Sequence, residues 1–521
     1  MPFMTRNLLS YLLLTLHMAQ SSVSVPLHQF GASQSVLEAY TSDHDIDGLG
    51  AQLPSPSPVS LPVNNPTKSF WTDSPGANLL ATEGSHGELT AEADVCIIGA
   101  GITGVSAAYH LSGELGDLVS SPKRTVVVLE ARDFCSGATG RNGGHLTPSI
   151  FLDFHRRATL YGTLEAIESF KLENYTSKSL VQLIRDTQDD PLFQNESANV
   201  GLVHGRHVSL LFTKEEEESA RRDYESAKAA GLGGLDDVTW VDKEDMSKTR
   251  GASFPGVETE GHNLWPLKLV TRLFLLAQRR SSNVDVKIHT HTPVTAVSTI
   301  KSSDGKKQFI VSTPRGDVRC SYVLHATNAY ANHLLQAKAT GIQVVPTRGQ
   351  IIGTRAAVRQ DRVGKSSWSG NDGFEYWFPR PVNVQTENPL VILGGGREVT
   401  GPQFEFYQTN DAEVNPSVGE ALSKFLPGIF PSIYPSVATV EWEWTGIMGY
   451  TRSGNPFVGP VPGEDGQYIS AGYTGHGMPR AYACGEAVAG MIAGQLLKRK
   501  WTKPEWLPDH YLTASPSGSE A

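Results

Sequence analysis

Gly99, Gly101 and Gly104 stand at the spacing G-x-G-x-x-G, a spacing able to hold a dinucleotide. An apolar run at residues 95–98 precedes them and an apolar-periodic stretch at 105–111 follows, so the order is strand, tight turn, helix. Each glycine has its own task. Gly99 permits the turn, Gly101 lets a pyrophosphate approach the backbone, and Gly104 lets the helix pack on the strand. The phosphates would meet the amides and the dipole of a helix N-terminus. A second apolar run, 125–129, ends in Glu130, placed to accept hydrogen bonds from a ribose. Glu130 follows Gly104 by 26 residues rather than the usual roughly 20, and the polar loop at 113–124 takes up the excess.

The chain that positions these groups has 521 residues, enough for two interleaved domains, and 39% of them are hydrophobic, as in a globular body. A net charge of −10 argues against nucleic acid and anionic membrane surfaces as partners. With 4 cysteines and neither CxxC nor HExxH, no disulfide framework and no metal site are expected. Cys96 and Cys320 fall in apolar strands and read as buried thiols. Arg6, the short apolar core at 8–16 and small residues at 22–24 read as a secretory signal over 1–24. An intracellular protein with a mildly apolar extension is the alternative. The core is too short for a stable membrane span, which needs about 20 apolar residues. The glycosylation sequons at Asn174 and Asn195 matter only on export.

Residues 25–90, rich in Ser, Pro, Gly and Asn, read as a low-complexity leader whose Phe70 and Trp71 dock on the body. Residues 213–230 read as a helix with a Thr213/Glu216 capping box and the pairs Glu217–Arg221 and Glu218–Arg222. Helices are also expected over 264–279 and 481–497, and strands over 284–288 and from 293. Strands near Val344, Ile351, Tyr376 and Val391 follow one another without long helices, which predicts an antiparallel sheet. The fold class is therefore α/β with an α+β second part. A nucleotide domain over 91–155, 240–335 and 440–510 is interleaved with a substrate domain over 156–239 and 336–439, before a tail at 511–521.

Further motifs follow in order: SGATGRNGG at 136–144, ATNAY at 326–330, PTRGQ at 346–350 and GYTGHGM at 472–478. Together with the glycine loop and Glu130 they resemble the D-amino-acid oxidase-like superfamily of FAD enzymes, with its glycine and sarcosine oxidases. Within it the resemblance is greatest to the gamma-glutamylputrescine oxidase-like branch, and it covers about residues 65 to 505. It implies a Rossmann-like domain holding FAD. Gly99, Gly101 and Gly104, with Ile102 and Thr103, would take the pyrophosphate. Glu130, with Ala131 and Arg132, would take the adenosine ribose, and the Val294 backbone the adenine. Arg141, Asn142, Gly143 and Gly144 would run beside the pyrophosphate and the ring, with Thr327 and Asn328 nearby. Gly475, His476, Gly477 and Met478 would cap the N1/C2 carbonyl edge. Histidine-linked relatives carry their covalent flavin at the position of Arg141, and Cys484 lies past the turn, so non-covalent FAD is expected.

The resemblance implies an amine-oxidising enzyme in which hydride leaves a C–N carbon for flavin N5 and the imine is hydrolysed, with O2 as acceptor. No catalytic residue is assigned. The candidates are His476, equally readable as a structural histidine, and Tyr376 and Tyr450, equally readable as sheet packing. Where glycine-oxidase-like members hold a substrate carboxylate with arginine, this sequence has Met448. An amine is therefore expected in preference to a simple α-amino acid, unless Arg348 or Arg397 replaces the anchor. An amino-acid oxidase, a dehydrogenase of the same superfamily and a non-catalytic flavin-binding protein are the alternatives.

Overall fold

A computed structural model describes residues 59–116, 123–301, 307–382, 384, 386–436 and 439–514. The signal at 1–24, the first part of the leader and most of the tail lie outside them. Two eight-stranded sheets carry the fold. In the first, Gln467–Ala471, Gly316–His325, Glu92–Ile98, Arg124–Leu129 and Val284–His289 lie parallel in that order. The strands Glu92–Ile98 and Arg124–Leu129 each end in four consecutive buried residues, because helices cover one face and Val294, Phe309 and Val311 pack on the other. Helix Ile102–Gly116 follows the glycine loop and buries ten residues between the sheet, helix Pro266–Arg279 and helix Ala481–Leu497. Its seam with the last helix is close. Ser106 Oγ donates to the Tyr482 carbonyl at 2.7 Å, and a Cβ on Gly485 would lie 2.8 Å from the Thr103 carbonyl oxygen.

The second sheet runs in the order Val440–Tyr450, Val345–Arg355, Leu390–Gly395, Glu375–Pro379, Ser367–Gly370, Val203–Leu210, Gly256–Asn263 and Thr239–Val241. It is antiparallel except where Ser367–Gly370 lies parallel to Val203–Leu210. Between those two strands the chain passes through Thr239–Val241 and Gly256–Asn263, crosses into the first sheet, and re-enters the second as Val345–Arg355 before it forms Ser367–Gly370. Sheet membership also moves three expected boundaries. Strand Thr239–Val241, which straddles the expected boundary after residue 239, and Gly256–Asn263, expected with the nucleotide domain, pair into the second sheet, as does Val440–Tyr450 beside Val345–Arg355. Helix Thr163–Asp186, expected with the substrate domain, buries Leu172, Leu180 and Ile184 in the nucleotide-side core.

Local signals act as their chemistry requires. Helix Lys214–Ala229 has the Thr213/Glu216 capping box, and Arg221 pairs with Glu217 at 2.8 Å. Glu218 pairs with Lys214 at 3.2 Å instead of Arg222. Asn174 sits half-buried in mid-helix, bonded to the Phe170 carbonyl beside a buried Thr176, whereas Asn195 is exposed. All four cysteines are buried free thiols. Among the described residues no helix is long and apolar enough to cross a membrane.

The leader is laid on the body from residue 59 onward. His333 Nδ1 lies 2.8 Å from the Val59 carbonyl oxygen, and Arg132 donates to the Val63 carbonyl. Ser69 caps the short helix Phe70–Asp73, and Trp71 is fully buried. Trp71 Nε1 donates to the Asn142 carbonyl at 2.6 Å, and Trp265 Nε1 donates to the Trp71 carbonyl at 2.8 Å. The buried indole offsets the entropy that would otherwise leave a Ser/Pro-rich strap loose.

Candidate active site

A cavity of about 680 Å³ opens between the two sheets. Its nucleotide end is built by the glycine loop. Gly99 has φ +109°, and a Cβ there would lie 2.6 Å from the Ala326 carbonyl oxygen, so only glycine fits. A Cβ on Gly104 would overlap the Gly99 carbonyl oxygen, which makes it the helix–strand packing glycine. Glu130 Oε2 accepts from the Ala100 amide at 2.9 Å and Oε1 from the Arg132 amide at 3.0 Å. Each oxygen keeps a further lone pair for a ligand. Burial pushes this carboxyl above its ordinary value, against the two amides and Arg132. Thr139, which sequence reasoning missed, accepts the Ile102 amide on Oγ1 at 3.1 Å.

Gly99, Gly101, Ile102, Thr103, Glu130, Ala131, Arg132, Arg141, Asn142, Gly143, Val294, Thr327 and Asn328 all border the cavity. Gly104 and Gly144, expected at the cofactor, do not; Gly144 is packed among Leu264, Trp71 and Phe378. The Arg141 guanidinium is also turned from its expected task. It donates to the Thr445 carbonyl at 2.6 Å and to both oxygens of Thr67, and lies 3.6 Å from Asp411. Burial draws its pKa down to about 10 despite Asp411. Arg141 therefore ties the leader to the second sheet, and Arg132, 2.9 Å from Asp411, strengthens the same knot.

Gly475, His476, Gly477 and Met478 line the middle of the cavity, after a turn in which the Thr474 amide donates to the Gly449 carbonyl at 2.8 Å. His476 Nε2 lies 2.9 Å from Glu173 Oε2, on helix Thr163–Asp186. Glu173 is 2% exposed, which makes it a carboxylate wholly dependent on its partners. Arg480 Nε donates to its Oε1 at 2.8 Å and the Ser149 amide to its Oε2 at 2.7 Å. Burial works to raise its pKa, but His476 and Arg480 outweigh burial and hold the carboxyl well below the usual carboxylate range. Glu173, Arg480 and Ser149 were not found in the sequence. Arg480, four residues after His476, was the one visible signal.

Beyond His476 the cavity becomes a chamber walled by Tyr376, Tyr450, Met448, Arg397, His207 and Phe374. The Tyr376 ring fits because Gly143 and Gly394 leave room for it; a Cβ on either would overlap the ring. Burial and then Tyr450 push the Tyr376 phenol up, with Arg397 opposing, so it is neutral. Burial also pulls His207 down to about 3 and His145 to about 4, so both imidazoles are neutral at pH 7. Arg397, 8% exposed, donates to the Tyr450 hydroxyl at 2.8 Å. Arg348 pairs with Glu405 at 2.5 Å and does not border the cavity.

The residues fit FAD. Thr327 Oγ1 and Arg132 Nε, on cavity-lining residues, are buried without a hydrogen-bond partner, as groups that await a polar ligand would be. The glycine loop, Glu130 and Val294 would hold the adenosine diphosphate half, and residues 475–478 the flavin edge. Cys135 and Cys484 are buried, and burial raises both thiols. Arg141 is committed to Thr67 and Thr445. Acid precipitation is therefore expected to release all the FAD into the supernatant, and a pellet that stays yellow would refute non-covalent binding.

The chain is 23% identical over 419 residues to glycine oxidase of Bacillus licheniformis, covering 78% of this chain and 95% of that protein. It is 24% identical over 407 residues to gamma-glutamylputrescine oxidoreductase of Escherichia coli, covering 77% and 84%. Among solved structures, glycine oxidase from Geobacillus kaustophilus superposes with a TM-score of 0.56 at 20% identity, over 79% of this chain and 96% of that one. L-amino acid deaminase from Proteus myxofaciens does so with a TM-score of 0.61 at 16% identity, over 86% and 97%. These two share the fold. The match to the DAO family, FAD dependent oxidoreductase, runs over residues 94–491, a span that takes in both sheets, and the chain belongs to this family.

Proposed function

We propose that this FAD-dependent oxidoreductase oxidises the C–N bond of an amine or amino-acid derivative to an imine, with O2 as the electron acceptor. The observation that carries the reading is continuity. One and the same cavity is lined by the glycine loop, by residues 475–478 and by the aromatic chamber residues Phe374, Tyr376 and Tyr450. Bound FAD supplies the hydride acceptor at N5, and water hydrolyses the imine that leaves. The chain's own residues bind and orient. The rings of Tyr376 and Tyr450 and the Met448 side chain exclude water, and neutral His207 and Tyr376 add no charge to repel an amine.

A second reading, a substrate that also bears a carboxylate, is favoured by Arg397. Met448 places no cation on its own strand, but the Arg397 guanidinium reaches the chamber from the segment after Leu390–Gly395, beside Tyr450. A bidentate guanidinium suits a carboxylate. Anaerobic stopped-flow bleaching with matched pairs, an amine and its carboxylated analogue, tests both readings. Bleaching by a member of the panel, reversed by air, is expected; no bleaching by any amine or amino acid would leave a flavin-binding protein without turnover. If the carboxylated partner is faster, Arg397→Met should raise its KM and leave the plain amine's unchanged.

A further inference from the structure

On the opposite face of the strands that wall the chamber, the register of Val203–Leu210 against Gly256–Asn263 sets His204 directly across from His262. Glu260 is two residues before His262, so strand alternation puts all three on one face. His207, Ser209, Val257 and Thr259, from the other face, line the cavity; His204, Glu260 and His262 do not. His204 Nδ1 is 2.7 Å from His262 Nε2, and His262 Nε2 is 3.9 Å from Glu260 Oε1. One donor atom from each residue falls within 4.8 Å of the others. We propose that His204, Glu260 and His262 form a three-ligand site for a zinc-class dication, with a fourth position open to water.

The donor set suits the ion. Two imidazoles and one carboxylate are ligands that Zn2+ accepts, and three protein ligands plus water is its open coordination. Tetrahedral Zn2+ with Zn–N bonds of about 2.0–2.1 Å needs its nitrogens roughly 3.3 Å apart. The histidine pair must therefore open slightly and the carboxylate close in. Both movable partners can comply: His204 is exposed and the Glu260 side chain is 47% exposed. His262, 4% exposed, is the fixed ligand. Arg206, opposite Glu260, is engaged by Asp237 at 2.5 Å and by Glu258, which leaves the carboxylate to the histidines. His262 Nδ1 is buried without a partner, so the second shell that normally strengthens a histidine ligand is missing. The site is accordingly one of modest affinity that clamps two strands, outside the reaction chamber.

The test is calorimetric titration of the FAD-loaded protein with ZnCl2, followed by the visible spectrum of the Co2+-loaded protein. Wild type should bind one Zn2+ per chain at this site and give the intense visible bands of tetrahedral cobalt. His204→Ala and Glu260→Gln, exposed changes that leave the fold intact, should each weaken binding and abolish those bands; His262→Ala should remove binding. Absence of Zn2+ binding by wild type would overturn the proposal. So would binding by His204→Ala and Glu260→Gln with wild-type affinity and spectrum, since the ion would then sit on other histidines of the 16.

Discussion

Glu173→Gln is expected to lower stability by about 3–5 kcal/mol and to slow flavin reduction, because it removes the one carboxylate shared by His476 and Arg480. The amide keeps an acceptor for Ser149, so shape is conserved while charge is lost. Arg480, 3% exposed, is then left as a buried, unneutralised cation. The pH dependence follows from the depressed carboxyl. A carboxyl held below its unfolded value of about 4.3 contributes stability that is full above that pH and is lost as pH falls through the folded value. The gap between wild type and Glu173→Gln should therefore be widest near neutrality and shrink below about pH 4. Urea midpoints across pH, with single-turnover reduction rates, measure it. Equal midpoints and equal rates at pH 7 would show that Glu173 neither neutralises Arg480 nor holds His476.

Glu130→Ala is expected to weaken FAD binding about 10- to 150-fold, from the loss of charge-assisted hydrogen bonds worth about 1.5–3 kcal/mol. The side chain accepts two backbone amides, from the glycine loop and from the segment after its own strand, so the substitution also loosens the two rims from each other. Far-UV circular dichroism should hardly change, because the parallel strands on either side are fixed by their own ladder. FAD fluorescence titration gives the affinity, and a value equal to wild type would remove Glu130 from the cofactor site.

The nucleotide half was legible because its signals are local. Three glycines, an acid at a strand end and the helix at 481–497 are each written within a few turns of chain. What escaped depends on tertiary placement. Glu173 lies in mid-helix between Leu172 and Asn174 and resembles any solvated acid until helix Thr163–Asp186 packs against the loop that carries His476. Gly256–Asn263 reads GVETEGHN, too polar to announce a buried strand, yet seven of its eight residues are buried between neighbouring strands. With no strand expected there, His262 and Glu260 stayed hidden from His204, since cross-strand pairing creates that cluster and no sequence spacing does. Arg141 matched a motif, but its guanidinium was claimed by Thr67, in a segment whose composition suggested no fixed position.

The seam between helix Ile102–Gly116 and helix Ala481–Leu497 sets a timetable for synthesis. The later helix leaves the ribosome roughly 20–80 s after the earlier one at about 5–20 residues per second. Throughout that interval Thr103 and Ser106, buried against the later helix in the finished protein, have no cover on that side. The cavity also lacks its wall at residues 473–481, so the glycine loop emerges first but cannot enclose a cofactor until almost the last segment arrives. FAD capture is thus a late event in the life of the chain. A nascent chain halted before Tyr473 would display the complete nucleotide motif without the wall that encloses a cofactor.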